Sequence, residues 1–349
     1  MDPEDFVFPY TATDLTEQIN RIPNSYGLLR AMGLFGDGTP VVSTTVEIRI
    51  EDGVLRVLPA KERGAPGTVG QRETGTSIFL SVPHFPSLDL ITPQDIQNMM
   101  IVIARTKRPA TVEDELAKRL LNIRRNHDIT LEYLRMGALK GLILDGDGTT
   151  LYDLYDVFGI NKVTVDFALG TDDTDVIAKC DQVYHSIADN LKGETMTGVE
   201  VLVDGGFFNR LIQHPNVEKY WTSNQLGVAE FAKMRRAELG QSWGRTFEFN
   251  QIIWTEYRGS APVKAAGAAT SVPFIAANYG HAYPTGTQNA FETFFAPADD
   301  IRFVNTPGEN IYISPEILKH GEGIELKSQS NPLPIVKRPE LLVEIHTSN

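Results

Sequence analysis

The stretch GLILDGDGTTLYD, Gly141–Asp153, holds the side chains whose types and spacing most directly suggest chemistry. Asp145 and Asp147 follow a short apolar run, stand two residues apart and lead into Gly148-Thr149. Phosphoryl transfer through an aspartyl intermediate uses such a pair. The first carboxylate attacks phosphorus and the second protonates the leaving group. The same letters also satisfy a plain structural need. Asp-Gly-Asp-Gly between two β-rich runs suits a tight reversal, because glycine and aspartate tolerate the backbone angles of a hairpin turn.

The surrounding sequence separates the two readings. The pair resembles the D-x-D-G-T motif of haloacid-dehalogenase-type phosphatases. Those enzymes also need a Ser or Thr, a Lys to hold the phosphate, and a later acidic pair for Mg²⁺ on other strand ends. Asp172, Asp173 and Asp175 are the nearest acidic group, and they lie too close to Asp145 for the intervening crossovers of a parallel sheet. TTLYDLYDVFG, which follows the pair, alternates with period two rather than leading into a helix or flap. The turn reading is favoured, and a phosphatase using Asp145 and Asp147 is the alternative. Seven histidines, among them His185, His214 and His281, show no metal-ligand spacing. No phosphate loop and no serine or cysteine in a nucleophile context is present. The chain is not expected to be an enzyme, and no catalytic, cofactor or metal site is expected.

Composition narrows the classes further. The 349 residues, 42% hydrophobic and 22% charged, can build a substantial core. A formal charge of −13 argues against reading a nucleic-acid groove. The acidic N-terminus lacks the basic and apolar regions of a signal peptide, and no apolar run matches a bilayer span. Cys180, the single cysteine, allows no internal disulfide.

The elements fall into an unusual order. Residues 1–40 read as an arm, with scattered anchors including Phe6, Phe8 and Tyr10, one short helix over Ala12–Arg21, and too little apolar surface for a core of its own. VEIRIEDGVLRVLP is the strongest hairpin signal, turning at Asp52-Gly53. AKERGAPGTVGQRETGTS is polar and glycine-rich, and IFLSVPHF returns as a strand. Together they make a projecting finger that is expected to lie on a neighbour rather than on its own body. A long helix spans 111–140, with Thr111 as its cap and Leu116, Leu120, Ile123, Leu131, Leu134 and Ala138 on one stripe. His127 falls in that stripe and reads as a packed core histidine. Further on, TDDTDVIAKCDQVYHSIADNL is an amphipathic helix that turns Cys180 inward, RTFEFNQIIWTEYRG reads as one long strand, and 279–295 reads as an exposed aromatic patch. The tail is extended, and its prolines confine it to sheet edges or bulges.

This order resembles the major capsid protein E family of tailed bacteriophages, the lambda type. The likeness is carried by VEIRIEDGVLRVLPAKERGAPG, the helix 111–140, ILDGDGTTLYDLYDVFG, VEVLVDGGFFNRLIQHPNVEKYW and the terminal NPLPIVKRPELLVEIHTS. The resemblance implies an α+β chain of the Hong Kong 97-type fold. Its parts would be an arm (1–40), an extended loop (41–88), a peripheral domain with the spine helix (89–170), an axial α/β domain (171–300) and a return to the peripheral domain (301–349). It implies self-assembly into hexamers and pentamers of an icosahedral shell, made in the bacterial cytoplasm and carried in the virion. Scaffold, portal and decoration proteins would be partners. Packaged DNA would be met only non-specifically, and no membrane is involved. Phe6, Phe8, Tyr10, Lys61, Glu62, Arg63, Arg72 and Glu73 would then touch neighbouring subunits. Arg105, Lys107, Arg108, Lys118 and Arg119, with Arg124 and Arg125 beyond, could face DNA phosphates, or could pair with the chain's own carboxylates.

Overall fold

The computed structural model describes residues 8–22, 27–50, 76–97, 100–103, 106–109, 111–223, 244–265 and 268–348. It opens with α1 (Ala12–Arg21), closed by a reciprocal cap: the Thr11 hydroxyl accepts the Asp14 N–H and the Asp14 carboxylate accepts the Thr11 N–H. Leu15 and Ile19, one turn apart, are wholly buried. Next come α2 (Leu28–Met32) and the two-residue β1 (Thr39–Pro40), with Leu28, Leu29 and Phe35 also buried. This corrects the expectation that the segment has only neighbours to pack on. From residue 12 onward its apolar side chains join two of the subunit's own cores.

β2 (Thr45–Ile50) pairs antiparallel with β3 (Thr76–Ser81), Val46 opposite Leu80. Alternation turns Val46, Ile48 and Leu80 into the core and leaves Glu47 and Phe79 outside. The base of the finger therefore rests on its own body, against expectation. The Asp52-Gly53 turn and the tip residues Lys61, Glu62, Arg63, Arg72 and Glu73 lie outside the described residues, as does Phe6. β4 (Phe85–Ile91), the single-turn α3 (Pro93–Ile96) and the antiparallel pair β5 (Met100–Ile103) and β6 (Thr106–Pro109) follow.

α4 (Val112–Lys140) is the long helix, capped by Thr111 with Asp114 and ended by Gly141 at φ +77°. Gly137 lets the chain fold back closely, since a Cβ there would sit 2.9 Å from the Leu142 carbonyl oxygen. β7 (Leu142–Leu144) and β8 (Thr150–Asp153) form the hairpin across the Asp-Gly-Asp-Gly turn. The expected alternation stops there. Asp153 caps α5 (Leu154–Phe158), its carboxylate accepting the Tyr155 N–H at 3.0 Å, so a helix replaces the second half of the strand.

β9 (Val163–Asp166), α6 (Val176–Asp189), β10 (Gly198–Val203), α7 (Gly205–Gln213) and α8 (Pro215–Ser223) lead to β11 (Thr246–Phe249) and β12 (Ile252–Glu256). The last two are a hairpin and not one long strand. Asn250 and Gln251 take φ of +49° and +63°, the left-handed pair that a two-residue reversal needs. β13 (Ser260–Ala265) pairs with β14 (Ala268–Pro273). β15 (Tyr279–Thr285) and β16 (Phe291–Phe295) cover the stretch expected to be an exposed aromatic patch. Tyr283, Phe294 and Phe295 are buried instead, because both strands run inside sheets. The tail supplies β17 (Tyr312–Ile317), β18 (Ile324–Ser330), β19 (Pro332–Val336) and β20 (Val343–His346). β19, with Pro332 and Pro334, is an edge strand, as its prolines require.

Three cores result. α6 and α7 pack on a six-stranded mixed sheet, β11-β12-β10-β15-β20-β9, around Trp254, Phe167 and Phe207, with Cys180 buried as expected. α1 and the first half of α4 lie on the sheet β17-β18-β4. The second half of α4 joins the finger base, the β7–β8 hairpin and the sheet β1-β16-β19. The six-stranded sheet draws β9 from the 89–170 span and β20 from the 301–349 tail, so it reaches beyond residues 171–300 on both sides.

Candidate assembly surfaces

The pair that opened the question is a turn. Asp145 and Asp147 are both outside the core. The Asp145 carbonyl accepts the Gly148 N–H at 3.0 Å, and Gly148 takes φ +90°. Asp147 Oδ1 accepts the Thr149 hydroxyl at 2.7 Å and the Thr149 N–H at 2.8 Å, and these bonds hold its carboxyl below the ordinary carboxylate value. A carboxylate kept ionised in this way is a poor proton donor to a leaving group. Asp175, from the acidic group considered as metal ligands, caps α6 through the Ala178 N–H. Among the described residues no cluster of three His, Cys, Asp or Glu side chains could hold a metal ion.

Lys118, Arg119 and Arg124 on α4 carry their own counter-ions. Arg119 meets Glu115 at 2.8 Å, Asp89 at 2.9 Å and Asp95 at 3.5 Å. Those partners, the Glu115 hydrogen bond first, raise its already high pKa. Lys118 lies 3.2 Å from Glu115, and Arg124 lies 3.2 Å from Asp128. Of the residues expected near phosphates, Lys118 and Arg119 are therefore occupied by the chain's own carboxylates. Lys107 and Arg108 stand on β6, and Arg105 lies outside the described residues.

The sequence reading named His127 as a core residue but passed over Asp128, Glu132 and Arg135, and Arg124, expected near phosphates, is buried at 6% exposure instead. Arg124, Asp128 and Glu132 recur every fourth position, and Arg135 follows three later, so all four share the buried side of α4. Glu132 Oε1 accepts the Leu29 N–H at 2.8 Å and the Tyr257 hydroxyl at 3.0 Å. Arg135 donates to the Thr293 hydroxyl at 3.2 Å. His127 meets the Ser328 hydroxyl at 3.1 Å, and burial, reinforced by Arg124, pulls its pKa down to about 4. The signal was present in the sequence as charges falling inside an apolar stripe at helical spacing.

Several large apolar side chains remain uncovered. Phe79 on the outer face of the finger base is 66% exposed, Leu88 on β4 is 65% exposed and Ile301 is 90% exposed. Phe8 and Tyr10, edge to face at 5.5 Å, pack partly on the core under α1 and stay partly open to solvent. No helix among the described residues is long and apolar enough to cross a membrane.

Comparison with known proteins places these surfaces in context. The family described as Phage major capsid protein E matches residues 11–347. The major capsid protein of Pseudomonas phage KPP10 is 33% identical over 345 residues, covering 95% of each chain. That of Salmonella phage Felix O1 is 29% identical over 356 residues, again covering 95% of each. Among solved structures, a prophage protein of E. coli CFT073 described as a capsid protein superposes with a TM-score of 0.62 at 13% identity, over 98% of this chain and 100% of that one. A phage-related protein from Bordetella bronchiseptica RB50 gives 0.52 at 11% identity, over 96% of both chains.

Proposed function

Because the chain belongs to the phage major capsid protein E family, with the match running from residue 11 to residue 347, we propose that its exposed apolar residues and finger are the contacts through which copies build the phage head. The protein is a major capsid protein with the Hong Kong 97-type fold, and its role is structural, not enzymatic. The capsid shell is built from copies of it.

The finer reading concerns how those copies meet. Hexamers and pentamers form the icosahedral shell, with α4 as the spine of a peripheral domain and the six-stranded sheet as an axial domain. The finger, anchored at its base by Val46, Ile48 and Leu80, extends its tip residues Lys61, Glu62, Arg63, Arg72 and Glu73 over an adjacent subunit. Phe6, Phe8 and Tyr10 lie against a neighbour as well. Assembly takes place in the host cytoplasm with scaffold and portal proteins, and a decoration protein can cover the outer surface. Packaged DNA is met non-specifically, through cations such as Lys107 and Arg108, since Lys118 and Arg119 are already paired. The family match along nearly the whole chain carries this reading. Electron microscopy of the purified protein tests it: closed shells or capsomers with five and six copies are expected, and a protein that stays monomeric at every concentration and salt would overturn it.

A further inference from the structure

Glu132 sits where three separately built parts of the subunit meet. It projects from the second half of α4 and is 1% exposed. Its Oε1 takes the Leu29 N–H at the start of α2 and the hydroxyl of Tyr257, the residue that follows β12 and hydrogen-bonds the carbonyl of Val203 in the six-stranded sheet. Its Oε2 makes no hydrogen bond among the described residues, although the Arg30 N–H faces the same carboxylate. The chain entering α2 passes directly over that oxygen. A Cβ on Gly27, which holds φ +110°, would come 2.4 Å from Oε2.

The surroundings leave neither protonation state fully satisfied. Ionised, the carboxylate is a buried charge with one oxygen unbonded. Protonated, it retains an acceptor for Leu29 and Tyr257, and the remaining O–H costs less to bury than a charge. The charged and titratable groups around it are Arg135 and Asp128 on α4, Arg30 with its ion-pair partner Asp37 from the segment carrying α2, and Tyr257 from the axial sheet. Arg135 favours the ionised form, yet its own charge is disfavoured by burial, which lowers its pKa to about 10. Burial outweighs the two hydrogen bonds and Arg135, so the carboxyl titrates above its ordinary value.

We propose that Glu132 is a proton-set joint that couples the spine helix to α2 and to the six-stranded sheet, tight when its carboxyl is neutral and loosened when it ionises. The direction follows from linkage. A group that binds its proton more strongly in the closed joint stabilises that joint fully below the ordinary carboxylate pKa, and the stabilisation is lost as pH rises through the raised value. Loosening would part the second half of α4 from Leu29 and Tyr257, with which it shares a core, while the other two cores stay intact. The joint is a property of the single subunit and does not depend on how copies assemble.

Hydrogen exchange of the full-length protein, read by mass spectrometry on peptides spanning residues 27–34 and 252–260 and corrected for intrinsic rates, tests this. As pH rises above the ordinary carboxylate value, protection of both peptides should fall. Opening should grow roughly tenfold with each step of one in pH between the ordinary carboxylate value and the raised one. Glu132→Gln should remove the dependence and hold protection near the low-pH level. Tyr257→Phe removes a bond that favours the ionised form, so it should move the midpoint to higher pH. Protection that is flat with pH in the unmodified protein overturns the proposal. So does an unchanged pH dependence in Glu132→Gln, or a midpoint unmoved by Tyr257→Phe.

Discussion

Asp147 takes both hydrogens that Thr149 can offer, its Oδ1 accepting the hydroxyl at 2.7 Å and the backbone N–H at 2.8 Å. That double acceptance closes the β7–β8 turn and leaves no free proton for chemistry. Asp145→Asn should therefore give particles in normal yield. The unmodified protein should hydrolyse no phosphate ester with Mg²⁺ present, as a colorimetric phosphate assay would report. Asp147→Ala should lower the melting temperature slightly and nothing else.

The N-terminal segment divides at about residue 11. Leu15→Ala removes a fully buried side chain and should cost the isolated subunit about 2–5 kcal/mol in denaturant unfolding. Removing residues 2–7 should leave unfolding of the isolated subunit unchanged and lower particle yield. Equal loss of subunit stability in both variants would refute this division.

The finger should separate folding from assembly in the same way. Replacing residues 61–73 with a short turn leaves the base pairing of β2 and β3 untouched. The subunit should keep its circular dichroism and fail to form heat-stable shells. Normal particles from this variant would show that the tip makes no contact that matters.

Arg119 and Lys118 should differ sharply although they are adjacent. Arg119→Ala takes from Glu115, which is only 2% exposed, the nearer of its two cations and also breaks the bridge to Asp89, and losing such charged hydrogen bonds typically costs about 1.5–3 kcal/mol. Lys118 is 58% exposed, so its replacement by alanine should be nearly neutral. Chemical denaturation of the two variants side by side measures the contrast.

His127 sets a local acid sensitivity. Its folded pKa, about 4, lies below the ordinary 6.5, so its neutral form is favoured in the fold. The stability this gives is complete above about pH 6.5 and is lost as pH falls toward 4, on the order of 3 kcal/mol in all. His127→Asn should flatten that part of the stability curve. An identical slope in the variant would remove His127 as its source.

How much was legible differs from element to element. α4 was readable to within a residue because its stripe, its Thr111 cap and its closing Gly141 agree. The Asp-Gly-Asp-Gly turn was readable because glycine and aspartate tolerate the backbone angles of a reversal that most residues resist. The β11–β12 hairpin was missed because Asn250-Gln251 is an uncommon left-handed pair, without the glycine that usually marks a reversal. The stretch 279–295 looked exposed because aromatics among glycines and prolines carry no clear period, and only pairing with β10, β19 and β20 buries them. The polar joint at Glu132 was hidden for a different reason. Its partners, Leu29 and Tyr257, lie 103 and 125 residues away, and no local pattern announces such contacts.

The position of β20 has a consequence for the order of synthesis. β20 lies between β15 and β9, antiparallel to one and parallel to the other, so the six-stranded sheet lacks an inner member until residues 343–346 have left the ribosome. β9 is translated long before and, among the described residues, pairs in that sheet only with β20. Contacts this distant in sequence form late and slowly. A growing chain thus cannot complete the six-stranded sheet before residues 343–346 are made, and the two ends of that sheet wait on its last-formed inner strand.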